Sequence, residues 1–270
     1  MGELGRKARL YVLLVRARVR ADWQYRTPFV LFTVAQFGIT FLDFLLIAVI
    51  FQRTPHLEGW SLPEVAFLYG TSGVSFFIGD VFISQVERVG MYVKDGRFDS
   101  LLVRPMGTLF QLSTEEFAFR RFGKLVQSTI VLVVATASLD VAWTPGRAGM
   151  VALMLTTGAV IFSAIWVAGS AITFFAVDSI EVVNSFTYGG NYATQYPIGV
   201  FGPWLRRFIT LAVPTAFVNY FPALYVLGRS DTLGLPSWSR FASPGVAVVT
   251  VLVAMTAWRV GLRHYRSTGS

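Results

Sequence analysis

Residues 28–51 read PFVLFTVAQFGITFLDFLLIAVIF, and within them 29–51 form one apolar run whose sole ionisable side chain is Asp43. A hydrocarbon core about 30 Å thick is crossed by about 20 helical residues, so this run is long enough to span a bilayer. Working outward, similar runs occupy roughly 64–84, 124–139, 149–177 and 244–262, joined by short polar connections. The pattern predicts an all-α, polytopic integral membrane protein.

Composition agrees. Apolar residues make up 54% of the 270 positions and charged ones 14%, which suits about six spans and leaves no room for a large soluble domain. The net charge of +8 does not point to nucleic acid, because the basic residues sit beside apolar runs instead of forming one stripe with interleaved aromatics. The absence of Cys excludes disulfides, thiolate nucleophiles and Cys-based metal sites. His56 and His264 are too far apart for a zinc centre, so no metal site is expected. Twenty Arg against three Lys point to a GC-rich bacterial genome. The first run is too long, and begins too late, for a cleavable signal peptide, and is read as a retained span.

The basic residues set the orientation. Seven Lys/Arg precede the first span and Arg53 follows it; seven more lie from Arg88 to Lys124, and Arg147 separates the third and fourth runs. By the positive-inside rule the N-terminus is cytosolic; with an even number of spans, Arg259, Arg263 and Arg266 place the C-terminus there too. The expected location is the cell (inner) membrane of a bacterium. In residues 4–23, Leu4, Ala8, Tyr11, Val12, Val15, Val19 and Trp23 recur at helical spacing, with Arg6, Arg9, Arg16 and Arg20 largely opposite. This predicts a cytosolic amphipathic helix within 1–28, lying on anionic lipid.

One further span lies between 180 and 228. Hydropathy alone favours 207–228, but that stretch contains Pro214 and Pro222 and follows YPIGVFGPW at 196–204, and prolines so placed break helices. The alternative is a polar span over 180–198, carrying Asn184, Tyr188, Asn191, Tyr192 and Gln195, followed by two half-helices that enter the outer leaflet and return.

The most distinctive polar stretch is 85–107, QVERVGMYVKDGRFDSLLVRPMG. Asp95-Gly96 breaks a first short helix, Phe98, Leu101 and Leu102 offer an apolar face, and Arg104-Pro105 ends a second helix. Residues alone leave two readings: a docking surface, or a loop held by its own span ends.

A resemblance now becomes specific. The order of basic amphipathic helix, two spans, GRFDSLLVRP, a helix restarting at LFQLSTEEFAFRRFGKL, and a late YPIGVFGPWLRRFITLAVPTAFVNYFPALYVLGR resembles the membrane subunits of type-2 ATP-binding-cassette exporters over nearly the whole chain. The resemblance implies six spans within a single transmembrane domain, 29–270, with 180–198 as the fifth span and 199–228 as the re-entrant half-helices. It implies that 85–107 couples to an ATPase, through Gly96, Arg97, Phe98, Asp99, Leu102, Arg104 and Pro105. It implies two cytosolic ATPase subunits carrying ATP and Mg, and a second permease, identical or homologous, completing an export path. The chain itself is then neither enzyme nor cofactor carrier, and its partners are these proteins and membrane lipids, not nucleic acid. No G-x-x-x-x-G-K-[ST] motif occurs; the nearest approach is Gly123-Lys124, with Ala118 where the first Gly belongs.

Asp43 is the outlier among intramembrane groups, since a charge at the bilayer centre costs several kcal/mol. It shares a helical face with Gln36 and Thr40, and it either lines a path or pairs with another helix. Asp80, Asp178 and Glu181 sit near cytosolic span ends, where exposure or capping accounts for them. Two rivals come from other classes. An autonomous channel or ion-coupled carrier would use Asp43 and the polar span. A rhomboid-like intramembrane serine protease would use Ser72 in Gly70-Thr71-Ser72-Gly73, but His56 falls in an outer loop and His264 beyond the last span on the inner side, and close helix packing explains the small residues.

Overall fold

The computed structural model describes residues 26–115, 121–176, 179–231 and 233–265. The amphipathic helix expected over 4–23, and Asp178, lie outside the described residues. In chain order the helices are α1 Arg26–Arg53, α2 Leu62–Ile83, a 3-10 turn Ser84–Arg88, then α3 Val89–Lys94, α4 Phe98–Leu102 and α5 Thr108–Glu115. They continue as α6 Phe122–Ser138, α7 Pro145–Ile172, α8 Ile180–Thr194, α9 Pro203–Arg207 with a π turn Phe208–Ala212, α10 Tyr220–Leu227 and α11 Ser243–His264. Among the described residues there is no strand, only the isolated bridge between Leu57 and Trp60.

Local chemistry sets the helix limits. At the start of α2, Glu64 accepts hydrogen bonds from the Ser61 N–H and hydroxyl, both at 2.8 Å, which satisfies one of the free amide donors at that end. The fourth apolar run begins at Pro145 instead of 149, because Thr144 caps it by accepting from the Arg147 N–H at 3.3 Å and proline suits the first helical position. It stops at Ile172 instead of 177. There the Thr173 N–H and hydroxyl both turn back to the Ser170 carbonyl, at 3.2 and 2.7 Å.

Helices α1, α2, α7 and α11 are each long and apolar enough to cross a membrane. The segment Pro203–Leu227 passes the same test only as a pair, bent by 74° at the break before Thr215. Pro214 stands in that break and cannot donate a helical hydrogen bond. The apolar α6 has 17 residues and the polar α8 has 15.

The core is built around α2, which packs on α6, α7 and α8, while α1 leans mainly on α6 and α11 on α7. In the span windows 83% of α2 is buried, against 11% of α1 and 22% of α11, so the outer helices turn most of their apolar surface away from the chain. Close approach explains the small residues of α2. A Cβ added to Gly70 would sit 2.7 Å from the Leu132 Cα, and one added to Gly73 would collide with Ser128. Ser72 donates to Asn191 Oδ1 at 3.0 Å and also contacts the Thr194 hydroxyl, whereas His56 is in the α1–α2 loop and His264 ends α11. The Gly-Thr-Ser-Gly stretch is a helix-packing surface.

The broken segment is pinned by side chains. Asn219 is fully buried, and its Nδ2 donates to the Leu68 carbonyl at 2.9 Å and the Thr194 carbonyl at 2.7 Å. It thereby satisfies an orphan acceptor at the C-terminal end of α8. Gly228, at φ +68°, ends α10 in the left-handed cap that glycine favours. Arg229 then clamps Glu64, with Nε to Oε1 at 2.6 Å and Nη2 to Oε2 at 2.9 Å, and stacks 4.7 Å over the Trp60 ring.

Candidate functional site

Two places gather the residues singled out by sequence. The first is the α3–α4 segment. Gly96 adopts φ +67° and lets the chain reverse between the two short helices. The inner side of the segment is bolted down. Phe98 is fully buried, its ring 5.2 Å from Phe174 at the end of α7 and 4.9 Å from Tyr265 after α11, and Phe174 lies 5.2 Å from Trp258. The Tyr265 hydroxyl donates to Asp99 at 2.8 Å, and Gln111 of α5 donates to the Leu101 and Met106 carbonyls at 2.9 and 2.6 Å.

Phe98 and Leu101, expected on an outward apolar face, point inward because the ends of two long helices provide the dry surface that aromatic and leucine side chains seek. What faces outward is Met91, Leu102, Val103, Arg104, Pro105 and Met106, with Val103 84% exposed. Arg97 is also exposed, its guanidinium 4.4 Å from the Tyr92 ring.

The second place is a cavity of about 80 Å³ enclosed by α1, α2, α6 and α8. It brings together Asp43, Tyr188, Asn191, Tyr192 and Gln195 from the sequence-based set and adds Lys124 and Ser128 of α6. Asn184, one helical turn before Tyr188, does not line it. Tyr69 borders the cavity and donates to the Thr40 carbonyl at 2.8 Å. Among the described residues neither the Asp43 carboxylate nor the Lys124 ammonium has a hydrogen bond or ion pair; Lys124 Nζ lies 5.5 Å from the centre of the Phe77 ring.

Next to this cavity lies a buried ionic cluster. Asp80, expected to be exposed or capping, is 3% exposed and paired with Arg121, because a carboxylate buried among helices needs a cation. Arg121 also reaches Glu87 at 3.4 Å, and the Tyr188 hydroxyl donates to Glu87 at 3.3 Å. Burial lowers the proton affinity of Arg121, just before α6, but a guanidinium keeps its proton in a protein, so the pairs are ionic.

A family model described as "ABC-2 family transporter protein" matches residues 37–269. The chain belongs to the ABC-2 transporter family. No curated protein and no solved structure matches it. It is therefore a multi-pass membrane protein and the permease component of an ATP-binding-cassette transporter, a family whose membrane proteins work with ATP-binding subunits. The match takes in every helix from α2 to α11 and most of α1.

Several contributors to the sites of this ABC-2 chain escaped sequence reasoning, Lys124, Arg121 and Asn219 among them. Lys124 read as a topology charge at a span end, although a lysine placed just inside an apolar run was the available signal. Arg121 read the same way. Asn219, a lone amide between two prolines, gave no signal of the two carbonyls it joins.

Proposed function

We propose that this ABC-2 permease is one half of an ATP-driven exporter, with six spans and both termini cytosolic. A second permease, identical or homologous, supplies the other half, and two cytosolic ATPase subunits bind ATP and Mg. In this reading α1, α2, α6, α7, α8 and α11 cross the inner membrane, and α9 with α10 forms the outer re-entrant pair. ATP binding closes the ATPase pair, which pushes the α3–α4 segment and rocks the permease halves between inward and outward forms, a two-state element biased by nucleotide.

One observation carries the reading: the two-sided build of residues 89–106. Their inner face is locked to the ends of α7 and α11, while the basic and apolar run Leu102–Met106 faces outward. A rigid segment fixed to span ends transmits displacement, whereas a slack loop would absorb it.

The test uses the absence of native Cys. Val103→Cys should cross-link to the ATPase subunit in membranes, and Trp238→Cys, also exposed but in the 3-10 turn before α11, should not. Absence of a cross-link at Val103 under conditions that label its thiol would refute the docking site.

A further inference from the structure

A second, larger cavity shares one wall residue, Tyr192, with the polar one. A pocket of about 400 Å³ lies between α8 and the α9 half-helix, walled by Phe186, Gly189, Phe201, Phe208 and Ile209, and its lining is almost wholly apolar. Helix α8 therefore presents two neighbouring stripes. Tyr188, Asn191, Tyr192 and Gln195 face the Asp43 and Lys124 side, while Phe186, Gly189, Ala193 and Tyr196 face the apolar side. Spacings of three and four residues keep each stripe on its own face.

We propose that the two cavities form one composite site for a zwitterionic amphiphile, a molecule with an ammonium and an acid group at one end of an apolar body. This rests on the exporter reading and names its substrate class. The polar chamber, at about 80 Å³, has room for a compact charged end and not for a large glycan. The 400 Å³ pocket receives an alkyl or aryl body. Opposite charges within one chamber dictate the pairing: Asp43 takes the ammonium and Lys124 the acid group, with the Gln195 and Asn191 amides completing the lining. A purely anionic or purely cationic head answers only one of the two charges, whereas a zwitterionic head answers both with charge-assisted hydrogen bonds. Gly189 lines the apolar pocket, and a Cβ placed there meets nothing within 4 Å, so a larger side chain fits without a clash and occupies pocket space.

The test titrates the purified full chain, in dodecyl maltoside, with dodecylphosphoethanolamine, dodecyl phosphate and dodecylammonium, which share one tail and differ in head charge. Native mass spectrometry reads the bound fraction. The zwitterion should bind about tenfold more tightly than either single-charge head, a difference of about 1.4 kcal/mol. Asp43→Asn should bring the zwitterion down to the level of dodecyl phosphate, and Lys124→Met down to that of dodecylammonium. Lys124→Arg should restore the preference. Gly189→Leu should weaken all three while leaving the head preference in place.

Equal binding of the three heads, or an order unchanged in Asp43→Asn and Lys124→Met, overturns the proposal. So does a loss of permease self-association in those variants with unaltered head preference, which would assign the two charges to a second copy. Each of these results leaves cross-linking of Val103→Cys to the ATPase untouched, so failure of the substrate class and failure of the exporter reading are separable.

Discussion

Charged side chains between packed helices need partners, and the Asp80–Arg121 pair joins residues 41 positions apart in sequence. Both side chains are largely buried, at 4% and 12% exposure, so removing Arg121 leaves Asp80 charged and dry, whereas Arg121 without Asp80 keeps Glu87 at 3.4 Å. Arg121→Met should cost about 3–5 kcal/mol, Asp80→Asn less because Arg121 retains Glu87, and Asp80→Leu combined with Arg121→Met should recover most of the Arg121→Met loss, because apolar pairs of similar volume commonly replace a buried ion pair. Thermal unfolding in detergent of the two single variants and the double variant checks this; equal destabilisation in all three would contradict it. Asp80 was visible in the sequence as an odd charge, but nothing local named Arg121, since the pairing depends on α2, α6 and the Ser84–Arg88 turn meeting. Asp43 was equally visible, and its approach to Lys124 was hidden for the same reason. The side chain that looks unusual is legible; the one that answers it is fixed by packing.

Among elements, the α3–α4 segment separates two roles that its sequence runs together. Phe98 and Val103 are five positions apart, yet one is fully buried against Phe174 and Tyr265 and the other is exposed. Phe98→Ala should destabilise the chain by about 3–5 kcal/mol as a large-to-small core change. Val103→Glu should leave unfolding unchanged and abolish association with the ATPase. Measured together on the purified variants, unfolding and ATPase retention should move in opposite ways; a stable Phe98→Ala variant would show that the segment is not bolted to the spans. The broken segment makes a topological prediction as well. Arg206 lies in α9, its guanidinium donating to the Phe201 and Gly199 carbonyls, and Arg206→Cys should label from outside intact cells if α9 and α10 re-enter from the outer side. Exclusively cytosolic labelling would restore a single span over 207–228. Long apolar elements were read from hydropathy to within a few residues. Their limits shifted where a cap decided, as with Thr144 and Thr173, because hydropathy registers the middle of a helix and caps fix its ends.

The molecule as a whole is a central α2 flanked by α6, α7 and α8, with α1 and α11 presenting apolar faces outward. The all-α class and the family were legible, because span order and the Gly, Pro and Arg rhythm survive in one dimension. The composite cavity was half legible: the polar stripe of α8 could be read, but its neighbour Lys124 and the pocket beneath α9 exist only once four helices are assembled. On the function proposed above, a separate ATPase drives this ABC-2 permease through the outward run Leu102–Met106. Affinity purification of the tagged chain from its native membranes, with subunit identification by intact mass, measures that directly. Two ATP-binding subunits should be retained by the wild-type complex and lost from the Val103→Glu, Arg104→Glu double variant, whose insertion and unfolding temperature stay unchanged. A chain that purifies without any ATPase and alone carries solute across vesicle membranes would contradict it.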